Sequence, residues 1–335
     1  MSLDPRSLVR GFLALALALA AAPAWAQDDA FDMPGGLYVG GGIGVEYVNL
    51  PEVSAILGPD GTSLGSTDDE FLTESAHLLA GFVDRDGLSL PDPVGRNARI
   101  ELRGRFSRGH SDRTATGTNG GPITFRFVDD SSLVDGVTNG FPPRARHETE
   151  LRRWEGDLVY LTDIEWVKGL VASPLVGLTF TRLDLDNNFI IKSGPTNLDG
   201  ALNIDDRTNA YYGGLALGGQ LRARPARFLE ASLGARADLM AATADLEVQQ
   251  NAFGLFGQRR EKSDHDTDFA ARLTTSLGLS MSLGPVALAL EGFAHWLSYV
   301  PIARHPLFAG DRDSHIDHGD MWSAGGMARI SVSFH

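Results

Sequence analysis

The stretch LRRWEGDLVYLTDIEW, residues 151–166, alternates between two kinds of side chain. Its even-numbered positions are mostly apolar or small and run from Trp154 to Trp166, whereas its odd-numbered positions include Arg153, Glu155 and Asp163. Because successive side chains of a β-strand point to opposite faces, this pattern predicts a strand with one apolar and one charged face. The fold depends on which of these faces points away from the protein.

The spacing of the aromatic residues decides between the two faces. Trp154 and Trp166 are twelve residues apart, which is about 40 Å along a strand and about 28 Å along the axis of a barrel with strands tilted by ~45°. In MWSAGGMARISVSFH, residues 321–335, Trp322 and Phe334 have the same spacing. A transmembrane barrel has an apolar band about 25 Å tall between two aromatic girdles. We therefore expect the apolar faces to contact lipid, with a girdle of Trp154, Trp166, Trp296, Trp322 and Phe334.

Alternation of this kind recurs along the rest of the chain. It predicts ten strands, at about 36–49, 74–84, 97–109, 151–166, 174–186, 208–223, 227–243, 265–283, 285–299 and 321–334. The gaps between them are alternately short and long, which is typical of outer-membrane barrels with short periplasmic turns and long extracellular loops. The predicted fold is an all-β, antiparallel, up-and-down transmembrane barrel of about ten strands, with eight or twelve as alternatives. The alternation slips near Thr243, which predicts a bulge or the membrane edge there.

The N-terminus has the pattern of a secretory signal peptide. Arg6 and Arg10 flank the start of an apolar segment at 11–22, and Ala24-Trp25-Ala26 fits a cleavage site. The pattern predicts a signal peptide at residues 1–26 and a barrel domain at residues 27–335.

The composition excludes several classes of function. The chain has no cysteine, so disulfides and thiolate chemistry are excluded. Its formal net charge of −14 argues against nucleic acid as a partner, because phosphate binding needs a basic surface. No cofactor is expected.

Together, the signal peptide, the alternating strands, the aromatic girdle and the near-terminal Phe334 resemble the small bacterial outer-membrane β-barrel superfamily, which includes OmpA-type barrels and ten-stranded relatives. The resemblance implies a monomer in the outer membrane of a Gram-negative cell, in contact with lipid and lipopolysaccharide. It also implies that the barrel-assembly machinery reads the C-terminal strand. The family usually ends on the aromatic residue, whereas here His335 follows Phe334.

The polar faces carry acids and bases in similar number, and they predict a charge network in the lumen. Its members are Glu46, Arg99, Glu101, Arg103, Arg105, Glu155, Asp157, Asp163, Arg222, Arg236, Asp238, Arg272, Glu291 and Arg329. Side chains nearly fill a barrel of this size, and buried charges must be paired. We therefore expect a closed, salt-bridged lumen. The alternative is a narrow, porin-like selective channel lined by Arg99, Arg103 and Arg105.

The long polar gaps contain the candidates for chemistry. In DRDSHIDHGD, residues 311–320, His315, Asp317 and His318 are of the types that bind transition metals. Asp313 and His315 form a candidate pair for activating water, and this pair and Asp184 with Asp186 resemble the carboxylate and imidazole pairs of the omptins. Because H-x-x-H without a scaffold is a weak motif, a solvated acidic loop is favoured over either site.

The sequence therefore predicts a non-enzymatic outer-membrane barrel with a structural or surface-interaction role through its extracellular loops. The extracellular ligand is not identified by any motif. A selective channel, and a rim hydrolase of omptin or lipid-modifying type, are the alternatives.

Overall fold

The computed structural model describes residues 36–51, 53–57, 63–67, 70–84, 96–116, 123–126, 133–136, 144–167, 169–192, 202–226, 228–252, 258–305 and 313–334. The predicted signal peptide lies outside these residues. Within them, no helix has the length and apolar character needed to cross a membrane.

The described residues form strands separated by turns and longer connections. The strands are β1 (Gly36–Asn49), β2 (Val53–Leu57), β3 (Ser63–Thr67), β4 (Glu70–Asp84), β5 (Arg96–Thr116), β6 (Ile123–Arg126), β7 (Leu133–Gly136), β8 (Arg144–Val167), β9 (Leu170–Lys192), β10 (Leu202–Ala226), β11 (Leu229–Ala252), β12 (Gln258–Leu283), β13 (Val286–Arg304) and β14 (His315–Phe334).

Ten of these strands close into an antiparallel barrel in the order β1-β14-β13-β12-β11-β10-β9-β8-β5-β4. The first and last strands pair to close it, with Leu37 opposite Phe334. The predicted fold class and ten-strand count are confirmed, and the alternatives of eight or twelve strands are wrong. The pairs β2-β3 and β6-β7 are separate two-stranded hairpins.

Short connections lie at one end of the barrel. Two residues separate β8 from β9, β10 from β11 and β12 from β13. Gly169 and Gly284 in these turns have φ of 82° and 63°, a left-handed conformation that favours glycine. The gaps at the other end are longer, as the sequence predicts.

Several strands extend well past their predicted length towards the long connections. β8 begins at Arg144 rather than 151, β10 at Leu202 rather than 208, and β12 at Gln258 rather than 265. We call the strand segments between the short turns and the level of Trp154 and Trp322 the membrane half, and the segments beyond that level the outer half.

The strands run without a break from one half to the other, but the faces that carry apolar and polar side chains are exchanged. On β9, Leu178 and Phe180 are exposed on the outer face of the membrane half, whereas Leu183 and Leu185 of the outer half are buried inside the barrel. The bulge predicted near Thr243 is wrong, because β11 pairs without a register shift through that residue with both neighbours. The slip is instead a reversal of side-chain polarity, with Leu239 exposed and Ala244 and Leu246 buried, which agrees with the other predicted alternative, the membrane edge.

One strand pair separates in the outer half. β12 pairs with β11 from Gln258 to Met281, but its ladder with β13 ends where Arg272 lies opposite Leu297. β13 continues to pair with β14 up to Arg304, after a register shift between Leu297 and Val300. The wall of the barrel is therefore split between β12 and β13 above this level.

Candidate functional site

The interior of the membrane half contains a paired charge cluster. Its members are Glu46, Arg105, Arg153, Glu155, Asp157, Arg236, Asp238 and Arg272. The Oε2 atom of Glu46 lies 2.6 Å from Nη2 of Arg105 and 2.6 Å from Nη2 of Arg153. Asp238 accepts from Nε of Arg236 and from Nε of Arg272, each at 2.6 Å. Because arginines and carboxylates are equal in number, the cluster is neutral and holds β1, β5, β8, β11 and β12 together.

A second cluster lies nearer the short turns, and its members are Tyr38, Arg99, Glu101, Arg103, Asp163, Ser173 and Arg222. Glu101 accepts from the Tyr38 hydroxyl at 2.5 Å and from Nε of Arg103 at 2.8 Å. Asp163 of β8 accepts from Arg222 of β10, past the intervening strand β9. With Arg329 and Glu291 at 3.6 Å, all the lumen charges predicted from the sequence lie in ion pairs.

The predicted charge network omits Arg153, which is a member of the first cluster, and His295, which contacts that cluster through Arg105. Arg153 is 2% exposed at its side chain and donates to both oxygens of Glu46. His295 lies with Nε2 2.8 Å from Nη1 of Arg105. Both residues have the inward parity of their strands, so strand parity alone is the signal that identifies them.

An apolar layer lies directly above the charges in the outer half. Its larger members are Val48, Phe71, Leu151, Leu183, Leu185, Tyr212, Met240, Leu297, Tyr299, Val300 and Met321. Leu151 is two residues from Arg153 on the same face of β8, so the two layers are stacked. The Tyr212 hydroxyl donates to the backbone oxygen of Tyr299 at 3.1 Å. Buried apolar side chains therefore occupy the interior at this level.

Above the apolar layer, a buried chain of hydrogen bonds connects β8, β9 and β10 to the β13–β14 hairpin. Its members are His147, Thr149, Asn187, Asp206, His305 and Ser314. Nε2 of His305 lies 2.9 Å from Oδ2 of Asp206, and its Nδ1 lies 3.1 Å from the Ser314 hydroxyl. In the neutral tautomer that carries its proton on Nε2, the ring donates to Asp206 and accepts from Ser314. This is the order of nucleophile, base and orienting carboxylate used in acyl transfer. Sequence reasoning missed it because the three residues are far apart in the chain and match no motif.

The predicted catalytic pair is not brought together through its carboxylate. Oδ2 of Asp313 lies 2.8 Å from Nζ of Lys262. Nδ1 of His315 instead lies 3.1 Å from the backbone oxygen of Asp313. The Asp313 carboxylate and the His315 imidazole therefore each contact a different partner.

The predicted metal ligands also have other partners. Asp317 pairs with Nη1 of Arg304 at 3.0 Å, and the ring of His318 stacks on Tyr299 at 5.4 Å. Over the whole described part of the chain, no three His, Asp or Glu residues gather in a way that would hold a metal ion. His315, Asp317 and His318 thus lie near one another in β14 without converging on one point.

Asp184 and Asp186 lie on the outside of the barrel. Asp184 pairs with Arg182 at 2.9 Å and Asp186 with Arg207 at 2.8 Å. They belong to a polar outer wall that carries an open groove of about 990 Å³. Its outward charges are Glu148, Glu150, Asp186, Asp205, Glu247 and Glu261, against Arg152, Arg207 and Arg259.

The pKa values of two carboxyl groups in the groove are shifted in opposite directions from their ordinary values. Burial raises the pKa of Asp205, and the neighbouring Asp206 adds to the shift against the opposing hydrogen bonds of Asn188 and Asn203. The pKa of Glu150 is lowered, chiefly by its hydrogen bond from Arg152. The outer wall is thus a solvated ion-pair surface with one carboxyl group that is harder to ionise.

No family model and no curated protein matches the chain. Among solved structures, it is similar to the outer membrane protease OmpT from Escherichia coli at 13% identity and a TM-score of 0.39, over 91% of this chain and 100% of that chain. It is similar to the CymD monoaromatic hydrocarbon channel at 7% identity and a TM-score of 0.34, over 90% of both chains. It is also similar to the transport unit of the autotransporter AIDA-I from Escherichia coli at 10% identity and a TM-score of 0.28, over 96% and 97% of the two chains.

The fold follows from the geometry of the barrel. A closed ring of antiparallel strands, an exposed apolar outer face that includes Trp154 and Trp166, and a charged interior are the features of a lipid-embedded barrel. An apolar outer face of this kind on a soluble protein would be unfavourable. The chain therefore has the fold of the bacterial outer-membrane β-barrels.

Proposed function

We propose that the protein is a sealed, non-conducting, non-enzymatic barrel of the outer membrane that acts at the cell surface through its outer half. The observation that supports this most is that two stacked layers of buried side chains lie inside the barrel, the paired charges around Glu46 and the apolar layer around Leu151. A barrel that is closed twice leaves its outer half as the part that is available to partners.

Both closures oppose the passage of ions. An ion in the membrane half would have to displace arginines and carboxylates that already satisfy one another. At the apolar layer it would have to lose its hydration shell. Arg99, Arg103 and Arg105, which a selective channel would need, are all engaged by carboxylates. The selective channel is therefore less well supported than the sealed barrel.

The remaining features of the proposal come from the outer surface. The apolar band suits outer-membrane lipid, and we expect the polar outer wall above it to meet lipopolysaccharide head groups. We expect the barrel to be a monomer that is inserted by the barrel-assembly machinery through β14. Heat-modifiable gel migration of the protein from the outer-membrane fraction tests this location. Recovery in the soluble periplasmic fraction would contradict it.

Conductance in planar bilayers tests the closed lumen. We expect no unitary steps from the wild-type protein, nor from Leu151→Ala, because the charge cluster still closes the lumen. Arg272→Ala is the matched variant that opens the charge cluster and leaves the apolar layer. Steps from the wild type, with a cation or anion preference, would replace the proposal with the selective channel.

A rim hydrolase is a second candidate, supported by Asp206, His305 and Ser314 rather than by Asp313 and His315. In it, the Ser314 oxygen would attack an ester or amide carbonyl while His305 takes the hydroxyl proton and returns it to the leaving group. Water would then release the acyl group from Ser314 by the same proton path. Ser314 is fully buried, which favours the structural role.

A fluorophosphonate probe separates the two roles. A hydrolase would be labelled at Ser314 and would lose the label in Ser314→Ala and in His305→Gln. A structural chain would take up no label, and its variants would differ from the wild type only in stability. Exchange of Asp313, His315 and His318 for alanine, with peptide and lipid A as substrates, tests the other rim residues.

A further inference from the structure

The split between β12 and β13 leaves a long strand edge in the outer half. β12 pairs with β11 from Gln258 onwards, but the ladder with β13 starts only at Arg272. Among the described residues, no strand pairs with the other edge of residues 263–271. We call this edge, made of the backbone groups that face away from β11, the open edge.

β13 does not cover the open edge because it turns into the barrel. Its residues Tyr299, Val300, Ile302 and Ala303 are consecutive or nearly so, and all are buried, which a wall strand with one outer face would not allow. The backbone oxygen of Tyr299 accepts from the hydroxyl of Tyr212 on β10, three strands from β13 around the ring. β13 therefore helps to cap the lumen instead of completing the wall.

Aspartates cap the open edge from within their own strand. In Asp264-His265-Asp266-Thr267-Asp268-Phe269, the amides of His265, Thr267 and Phe269 each donate to the carboxylate of the preceding aspartate, at 2.9, 2.8 and 2.7 Å. The amide of Ala271 donates to the hydroxyl of Ser298 at 2.8 Å. Local bonds of this type replace a missing ladder, and charged residues on an edge oppose unwanted pairing.

The capping bonds are easily exchanged for those of an added strand. Each amide would lose its hydrogen bond to an aspartate carboxylate of its own strand and gain one to a backbone carbonyl of the added strand. The number of hydrogen bonds made by these amides therefore does not fall. The open edge is already extended by its ladder with β11, so little conformational entropy is lost on pairing. The other oxygens of Asp264 and Asp266 remain bonded to the amide of Ile316 and the hydroxyl of Tyr299.

The charge of the open edge selects the partner. Residues 263–271 contain Asp264, Asp266 and Asp268 and no lysine or arginine. Two copies of this edge would place like charges opposite each other, which disfavours a dimer of the protein through β12. A strand with lysine or arginine side chains would instead pair with the released carboxylates.

We propose that the open edge of β12 binds an extended, cationic peptide segment of a partner protein at the cell surface by strand addition. The partner's backbone would pair with the amides of His265, Thr267 and Phe269, and its basic side chains would meet Asp264, Asp266 and Asp268. Strand addition of this kind takes affinity from main-chain hydrogen bonds and specificity from side chains. The inference rests on the proposed surface role and names its partner class.

The test uses the detergent-solubilised full barrel and a fluorescent synthetic peptide of alternating lysine and valine. A second peptide of the same sequence is N-methylated on the residues whose amides would face the open edge. We expect the first peptide to bind and to slow hydrogen exchange at the amides of His265, Thr267 and Phe269. The methylated peptide should bind at least about tenfold more weakly, because it keeps the charge and loses strand hydrogen bonds.

Two variants of one residue provide the matched control on the protein. Thr267→Pro removes an amide of the open edge and leaves the β11 ladder intact, which a proline at an edge allows. Thr267→Val keeps the amide. We expect Thr267→Pro to bind the unmethylated peptide about tenfold more weakly than the wild type does, and Thr267→Val to bind it as tightly as the wild type. Heat-modifiable migration establishes that each variant is folded.

Equal binding of the two peptides would overturn strand addition in favour of simple charge attraction. Absence of binding by the unmethylated peptide would overturn the proposal as a whole. Neither result would bear on the closed lumen, since conductance of the same preparation measures that property separately.

Discussion

The membrane half and the outer half are built from the same strands with opposite side-chain arrangements. In the membrane half, β9 exposes Leu178 and Phe180, and the interior holds ion pairs such as that of Glu46 with Arg153. In the outer half, charged residues such as Asp186 lie outside, and Leu183 and Leu185 lie inside. Each half places apolar side chains where water is absent.

This comparison shows that solvent, and not strand geometry, sets the direction of the pattern. Lipid surrounds the membrane half, so its outer face is apolar and its narrow interior is where polar groups are paired. Water surrounds the outer half, so that half has the apolar interior of a soluble protein. The level of Trp154 and Trp322 marks the change of surroundings.

The largest expected effect comes from removing a shared carboxylate in the membrane half. Glu46→Ala removes the closer of the two acids that pair with both Arg105 and Arg153 and leaves these buried cations to Glu155, so it should cost about 3–5 kcal/mol of unfolding free energy. Thermal unfolding measured by heat-modifiable migration tests this value. The matched change in the outer wall, Asp186→Asn, removes a solvated pair with Arg207 and should cost at most about 1 kcal/mol. Equal losses would contradict the comparison.

The next prediction places the same charge on the outer face of one strand at two levels. Leu178→Arg puts a cation into the lipid band and should destabilise the barrel by about 2–4 kcal/mol in urea titrations in lipid vesicles. Asn188→Arg, ten residues along β9 with the same outward parity, lies between Glu148 and Asp205 in the ladder. It should change stability by no more than about 0.5 kcal/mol. A large cost at Asn188 would mean that lipid extends into the outer half.

The membrane half is the part of the fold that the sequence predicts well. Two-residue alternation with the apolar face outward gave ten strands, their order around the ring and the pairing of β1 with β14. The spacing of Trp154 and Trp166 assigned the faces, since it reflects a thickness that the bilayer imposes. These features are local in the sequence, or follow from an up-and-down order.

The outer half was harder to predict, for two physical reasons. Above the lipid, the outward-facing side chains of a strand are no longer apolar, so the pattern used to recognise strands is lost. The sequence therefore predicts loops at 144–150 and 258–264, where the structure has strands. The contacts of Asp206 with His305, and of Asp313 with Lys262, join distant strands and depend on the path of β13 into the lumen. No spacing in the sequence encodes that path.

A smaller effect is expected from the hydrogen bond that holds β13 inside the barrel. Tyr212→Phe removes the donor to the backbone oxygen of Tyr299 and should cost about 1–3 kcal/mol, because a buried acceptor loses its partner. Tyr211→Phe is the matched control on the outer face, where the aromatic ring that stacks with Arg182 is kept. Unfolding in urea should separate the two variants. Equal stability would mean that the capping position of β13 does not depend on this bond.

The smallest effect concerns pH and is confined to the outer half. Burial raises the pKa of Asp317, but the hydrogen bonds from the His318 amide and from Arg304 outweigh burial and hold it below its usual 3.8. A carboxyl group with a lowered pKa in the folded state stabilises that state above its ordinary pKa and stops doing so as the pH falls through the lowered value. The wild type should therefore be slightly more stable than Asp317→Asn at about pH 6, and the difference should disappear below about pH 3. A difference that grows on acidification would show that the Arg304 pair does not stabilise the β13–β14 hairpin, and the outer half would then owe its order to its apolar interior alone.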